Sequence, residues 1–539
     1  MFKKLCVMAL IVSSINAATV EEAIKQRNLF ENQKNIYKEK EIQKSDEIFH
    51  YDVKKPEIQK SDEGQCFEIK QIVENGITLI EKEKKEEIFN KYINRCDTVT
   101  DLKNLINELT TIYIDRGYVT SKVYLKPQNI SGGVIEIYAI EGKVEDFKND
   151  DLYIKSAFFN QKEDYLNLRD LEVGIENINR LKSNSAKLKL EPGTQPGLTI
   201  IDVENNKSAF PINGYVNYNN FGSNPTGEHQ FALNTNIENL LNINDIFSIN
   251  YNTTDKHNTK NNSIGDSFTY SFPIGRLMYS FSYGESKYNQ IIPTNLNEYH
   301  SSGKNKNYTM NLDYELFHNQ HNKISLGYLI NHYQSKNYLE NNLIETSTYN
   351  LSKTGVRLNY LFQTDTFLMS SSLQHVRGVH WFNNTNPTSL DDKYKIFIID
   401  NYISKSFDNF RYSLDFHYQR SSQQLFSVNQ ISIGGAYSVR GYNEDGLNGN
   451  TGYYYRNELA YALNNEFFSE INPLPYIGLD GGWIKSEEDT DGGYLLGELF
   501  GLKLNYKSLY YDMYYSKALR TKDVTSNENF FGFNVNYRF

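Results

Sequence analysis

Long apolar runs are nearly missing from this chain. Past the first dozen residues, no segment is apolar enough for a transmembrane helix, which needs about 20 such residues. If the mature chain sits in a membrane it must do so as a closed barrel, the other fold that satisfies every backbone polar group inside lipid. Positive charge is not in excess either. Lys and Arg number 56 against 66 Asp and Glu, a formal net charge of −10, and no long basic stripe appears. That argues against a nucleic-acid partner. Catalytic signatures are lacking too: the ten His show no metal-ligand spacing, and no G-x-S-x-G, H-E-x-x-H or P-loop occurs. Neither an enzyme nor a cofactor or metal centre is expected. Cysteine and tryptophan are scarce, at 3 and 2 residues.

Tyrosine, by contrast, is abundant. There are 42 Tyr, and aromatics make up 14% of a chain that is only 39% hydrophobic, with a mean hydropathy of −0.60. A β-barrel reconciles these values, because only alternate residues of each strand touch lipid. Residues 1–18 read as an export signal, with basic Lys3 and Lys4, an apolar core from Leu5 to Val12 and the small-residue exit Asn16-Ala17-Ala18. That core is too short to span a bilayer. Cys6 leaves with the signal. The mature chain then keeps Cys66 and Cys96, which an oxidising compartment would pair as a disulfide; the alternative is two buried thiols.

The remaining chain divides into stretches of different texture. Residues 19–64 are polar and charged. Thr19 and Glu22 resemble a capping box, and residues 19–40 form a candidate helix too polar to be a core element. Residues 41–64 read as a linker, in which Ile42-Gln43-Lys44-Ser45-Asp46-Glu47 returns as Ile58-Gln59-Lys60-Ser61-Asp62-Glu63. Residues 65–142 look globular. Phe67, Ile69 and Ile72 predict a strand, and residues 82–94 a charged helix. Thr98 and Asp101 would cap a second helix, whose Leu102, Leu105, Ile106, Leu109 and Tyr113 recur at three and four residues. Arg116-Gly117 ends it, and strands over 118–125 and 134–140 follow. Residues 143–205 repeat this plan in shorter form, with a strand to Phe147, a helix over 168–181 and strands over 186–190 and 198–203.

From residue 208 to 539 the period changes to two. Tyr279, Phe281 and Tyr283 interleave with Ser280 and Ser282, and Tyr412, Leu414, Phe416 and Tyr418 interleave with Ser413, Asp415, His417 and Gln419. The chain ends on Phe531, Phe533, Val535, Tyr537 and Phe539, interleaved with Gly532, Asn534, Asn536 and Arg538. One face suits lipid and the other water, sustained too long for a soluble sandwich. The spacing predicts a transmembrane antiparallel barrel of about 16 strands, an even number as closure with both ends on one side requires. The widest gap between predicted strands, residues 421–452, is a long loop.

That loop contains Ile433-Gly434-Gly435-Ala436-Tyr437-Ser438-Val439-Arg440-Gly441-Tyr442. The Val439-Arg440-Gly441-Tyr442 run resembles the signature of the two-partner secretion transporters, the haemolysin and adhesin secretion and activation family. Cys66-Phe67, Asn94-Arg95-Cys96, the run from Tyr113 through Arg116-Gly117 to Ser121, and Ile140-Glu141-Gly142 resemble that family's first polypeptide-transport-associated (POTRA) domain. Residues 143–205 would be its second. The resemblance covers nearly the whole mature chain and implies α+β POTRA modules in the periplasm followed by an outer-membrane barrel.

It also implies site residues and a task. The loop would fold into the barrel, and Arg440 would meet an Asp on the inner wall. The wall motif is identified as Tyr476-Ile477-Gly478-Leu479-Asp480-Gly481-Gly482, in which Asp480 and Gly482 match and Gly478 replaces an aromatic common in the superfamily. The polar leading helix would plug the pore at rest. The implied function is export of a secreted partner exoprotein through the outer membrane by a monomeric, lipid-embedded transporter. The alternative from the same superfamily is a factor that assembles other barrels, and a plain solute porin would lack the periplasmic modules.

Overall fold

The computed structural model describes residues 53–60, 64–207, 210–255, 260–293, 297–443, 446–463, 470–487, 492–521 and 529–539. The export signal, the leading helix and most of the linker fall outside the described residues. Two α/β units and a closed barrel follow one another along the chain.

The first unit pairs β1 (Cys66–Ile69) with β3 (Arg95–Thr98), and separately lays β2 (Gln71–Asn75) parallel to β5 (Val134–Ile140), whose other edge carries β4 (Lys122–Tyr124). The strand predicted across Phe67, Ile69 and Ile72 is thus two strands. The Lys70 and Gln71 amides both donate to the Gly133 carbonyl, so the chain changes partner there. Helix α1 (Lys82–Phe89) is shorter than its charge pattern suggested, while α2 (Val99–Asp115) carries a full capping box between Thr98 and Asp101. Leu105, Leu109 and Tyr113 of α2 bury against Ile77, Ile88, Tyr92, Val123 and Ile137. Gly117, at φ +91°, ends the helix, and residues 118–121 form turns, which leaves β4 three residues instead of the eight expected.

In the second unit β6 (Lys143–Phe147) lies parallel to β8 (Leu198–Asn205), with β7 (Ala186–Pro192) antiparallel on the far side of β8. Helix α4 (Leu168–Asn179) supplies the core residues Leu171, Ile175 and Ile178. Helix α3 (Leu152–Ala157) was not anticipated; at six residues it is too short to display a helical period.

The barrel closes with sixteen full strands, counted among the described residues, plus a two-residue flap at Asn342–Leu343. Its first strand, Ile212–Asn219, pairs antiparallel with its last, Asn529–Arg538, and the Phe539 and Gly214 backbones bond reciprocally at 3.1 Å. Alternation is resolved into two surfaces. Leu326, Leu358 and Leu373 stand opposite one another on three neighbouring strands and are all exposed on the outside. Inside, polar side chains bond to one another, as Asn234 does to Asn250 at 2.7 Å and Asn250 to Ser267 at 3.2 Å. A wall of this kind is greasy outward and wet inward, as a spanning barrel must be. Among the described residues no helix is long and apolar enough to cross a membrane. The strand Glu298–His318 starts ten residues before its apolar alternation of Tyr308, Met310, Leu312 and Tyr314, because its opening residues are largely polar.

Candidate functional site

Residues 421–443 and 446–451, between the strands Phe410–Arg420 and Gly452–Tyr461, do not join the barrel wall. Ile431–Ile433 and Leu447–Gly449 pair as a short hairpin. Gly434 and Gly435, both at positive φ, then reverse the chain, and the Ser438 hydroxyl donates back to the Gly434 carbonyl at 3.0 Å. The tip is driven into the lumen by two apolar clusters. Val439, Tyr442, Ile431 and Ile433 pack on Ile484, Leu495 and Ala518 of the wall. Ala436 and Tyr437 pack on Tyr476, Leu499, Tyr514 and Phe221.

Arg440 lies between these clusters and is buried. Its Nε donates to Asp480 Oδ2 at 2.6 Å and its Nη2 to Asp480 Oδ1 at 3.0 Å, while its own backbone amide donates to Oδ2 at 3.2 Å. This is the bidentate fork that a guanidinium makes and an ammonium cannot. Arg440 Nη1 donates to Glu458 Oε1 at 2.6 Å, and Glu458 in turn pairs with Lys503. The guanidinium also stands 5.6 Å from the centre of the Tyr514 ring. One loop cation is therefore held by carboxylates on two adjacent strands, Leu474–Ile484 and Gly452–Tyr461.

The remaining motif residues act through space and backbone. Gly441, at φ +105°, has no room for a side chain: a Cβ would sit 2.9 Å from the Ala518 nitrogen. Tyr442 donates its hydroxyl to the Leu496 carbonyl at 2.9 Å. A Cβ on Gly482 would lie 3.0 Å from Val439 Cγ2, so this glycine seats the loop valine. At Gly478 a Cβ would meet the Asn457 carbonyl at 2.8 Å and Leu499 at 3.0 Å; Tyr476 and Tyr514 fill the lumen beside it. Glu458 and Lys503 were not singled out from the sequence. Their only signal is a lone charge at a lumen-facing position of an alternating strand, which does not name a partner. Gly497 was missed as well, although a side chain there would overlap the Arg440 carbonyl.

In the first α/β unit the residues named from the sequence also converge. Cys66 and Cys96 are joined by a disulfide across β1 and β3, with Cα atoms 5.3 Å apart. The Glu141 carboxylate accepts from the Tyr113 hydroxyl at 2.7 Å, the Leu79 amide at 2.8 Å and the Thr78 amide at 2.7 Å. Arg116 reaches the Leu79 carbonyl at 2.9 Å. The quoted run is thus one buckle linking α2, β5 and the turn before α1.

The second unit is bolted to two turns of the barrel, at residues 238–245 and 275–276. Asn177 donates to the Gly275 carbonyl at 2.8 Å, Arg180 to the Asn244 carbonyl at 2.7 Å, and the Lys182 and Ser183 amides both donate to Glu238 at 2.9 Å. Arg276 bonds Asp170 at 2.7 Å. Nearby, Glu176, Glu315 and His318 come close enough to suggest a metal site, but Lys323 already sits 2.8 Å from Glu176 and 3.1 Å from Glu315 and supplies the positive charge. This joint was illegible in the sequence. A bulge between Glu315 and Phe317 breaks the alternation that would have marked which way these residues point.

Comparison with known proteins places this architecture. Residues 197–504, more than half of the chain, match the family model described as haemolysin secretion/activation protein ShlB/FhaC/HecB. Residues 67–142 match a POTRA domain of the ShlB type and residues 136–192 a further POTRA domain. Outer membrane transporter CdiB of Dickeya dadantii is 27% identical over 79% of this chain and 78% of its own length. Hemolysin transporter protein HpmB of Proteus mirabilis is 28% identical over 84% of this chain and 82% of its own. Among solved structures, CdiB from Escherichia coli superposes with a TM-score of 0.87 at 24% identity, covering 96% of this chain and 98% of that one. CdiB from Acinetobacter baumannii gives 0.80 at 21% identity, covering 96% and 99%. The chain belongs to the haemolysin secretion/activation family of outer-membrane transporters, with two POTRA modules on the periplasmic side of a sixteen-stranded barrel.

Proposed function

We propose that this protein exports one secreted partner exoprotein, of the haemolysin or adhesin type, from the periplasm to the cell surface or medium, and that it performs no catalysis. The observation that carries this reading is the combination of two modules fixed under a barrel whose lumen is filled by a latched loop. A solute porin has no use for the first, and a permanently open channel none for the second. The modules present sheet edges at β2 and β4 in the first and at β7 in the second, where the outer edge of β6 is taken by the backbone of residues 163–165. An unfolded partner can add to such an edge through backbone bonds that do not depend on its sequence. It then crosses through the lumen. The sequence has no P-loop signature, and in this reading folding of the cargo outside supplies the direction.

In this reading Arg440, Asp480 and Glu458 hold the loop in its inward position, and Val439, Gly441, Tyr442 and Gly482 shape its seat. The Cys66–Cys96 bridge steadies the first module. Residues 19–40 close the pore at rest, and the transporter works as a monomer embedded in outer-membrane lipid. The test is the extracellular level of large secreted proteins in a strain lacking this gene, with and without complementation. Loss of one such protein from the medium, restored by the gene, is expected. Unchanged levels of all of them would overturn the reading.

A further inference from the structure

The linker ahead of the first module does not hang free where it is described. Residues 53–60 run along the outer face of α2. Asn104, itself buried, grips the backbone of Gln59 from both sides: its Oδ1 accepts the Gln59 amide at 2.9 Å and its Nδ2 donates to the Gln59 carbonyl at 2.8 Å. One turn further on, Asn107 donates to the Glu57 carbonyl at 2.9 Å. Lys55 pairs with Asp115 at 2.5 Å at the end of the helix. Ile58 remains largely exposed. Apart from the lysine, then, the grip is on peptide groups, and any segment able to lie extended can satisfy it.

The chain holds a second such segment. Glu57-Ile58-Gln59-Lys60-Ser61-Asp62-Glu63 is repeated without change, sixteen residues earlier, as Glu41-Ile42-Gln43-Lys44-Ser45-Asp46-Glu47. We propose that the Asn104–Asn107 face of α2 is a docking site with two ligands within this chain, and that the earlier copy exchanges with the later one in the same register. Gln43 then takes the place of Gln59 and Glu41 that of Glu57.

The differences between the copies set which one dominates. Lys55 corresponds to Glu39, which would face Asp115 with like charge, and Pro56, pre-set for an extended backbone, corresponds to Lys40. The later copy is seven residues from Cys66 and the earlier one twenty-three, a difference in loop closure worth roughly sixfold. The later copy is therefore the resting occupant and the earlier copy a minor one. Exchange moves sixteen residues from one side of the site to the other. Fully extended, that is about 50 Å of tether between α2 and everything N-terminal to the repeat. The linker is an adjustable strap with two stops.

Hydrogen exchange of the full-length protein in detergent micelles tests this. In the wild type, the Gln59 amide should exchange at least tenfold more slowly than that of Gln43. Gln59→Pro removes the amide that Asn104 holds, and Lys55→Glu disfavours the later copy without touching the repeat. In Gln59→Pro the Gln43 amide should slow at least fivefold, while in Lys55→Glu, where loop closure and Pro56 still favour the later copy, the Gln59 amide should exchange faster than in the wild type. Adding Asn104→Leu to Gln59→Pro should abolish the slowing of Gln43. If Gln43 exchanges at the same rate in Gln59→Pro as in the wild type, the proposal is wrong. It is equally wrong if the slowing depends on protein concentration, which would mean that the occupant is a second molecule.

Discussion

Arg440 is a long cation buried in a protein lumen, and its surroundings account for the expense. Two carboxylates, an aromatic face and the fixed fork geometry replace the water it has lost. Removing one partner of such a set leaves an uncompensated charge, at a cost of about 3–5 kcal/mol. Arg440→Ala should therefore loosen the loop more than its lost contacts suggest. Arg440→Lys should recover only part of the loss, because an ammonium cannot bridge both oxygens of Asp480 while reaching Glu458. Protease accessibility of the 421–451 loop in proteoliposomes measures both; equal protection of all three proteins would contradict the latch. A different carboxylate sets the behaviour of the first module. Burial works to raise the Glu141 carboxyl, but the hydroxyls of Thr78 and Tyr113 and the amides of Leu79 and Thr78 outweigh it and hold it below the ordinary range. A lowered folded value means stability that is complete above the ordinary glutamate range and lost as the pH falls through that lowered value. Glu141→Gln should cost about 1–3 kcal/mol at neutral pH and flatten that acid limb, seen by thermal unfolding of the module's signal from pH 7 down to pH 3 or so.

At the scale of elements, legibility in the sequence depended on period and length. The barrel strands were readable because a half-wet, half-greasy wall imposes alternation on every one of them. Helix α2 was readable because its seventeen residues carry both a capping box and a complete apolar stripe. The six-residue α3 and the three-residue β4 are shorter than any pattern that could announce them. Arg440 and Asp480 were found through a resemblance, since forty residues of sequence separate them. Glu458, Lys503 and the whole joint between the second module and the barrel turns were not found, because pairing across strands is set by register and pairing across domains by docking. The disulfide belongs to this scale as well. β1 and β3 are four residues each, too short to hold together on backbone bonds alone. Cys96→Ser, or reduction of the wild type, should destabilise the first module by about 2–4 kcal/mol while leaving the barrel's resistance to heat and detergent unchanged. A drop in barrel stability of the same size would show that the modules and barrel unfold as one.

The molecule as a whole couples three things: a strap on the first module, a second module bolted to the barrel turns, and a barrel whose bore is occupied by its own loop. Opening the route must displace what lies in the lumen, so ion conductance should report on each obstruction. Removing residues 19–40 should raise the conductance of single channels in planar bilayers several-fold if that segment closes the pore, and equal conductance would count against it. Whether the lumen is the path of the cargo is the central question. Ser413 lines the cavity beside Arg440 and Glu458, while Leu358 is exposed on the outer wall. A photo-crosslinking residue placed at each position in turn, in cells actively secreting, asks it directly. Adducts between transporter and exoprotein at position 413 and none at 358 are expected. Adducts at 358 with none at 413 would contradict transport through the barrel.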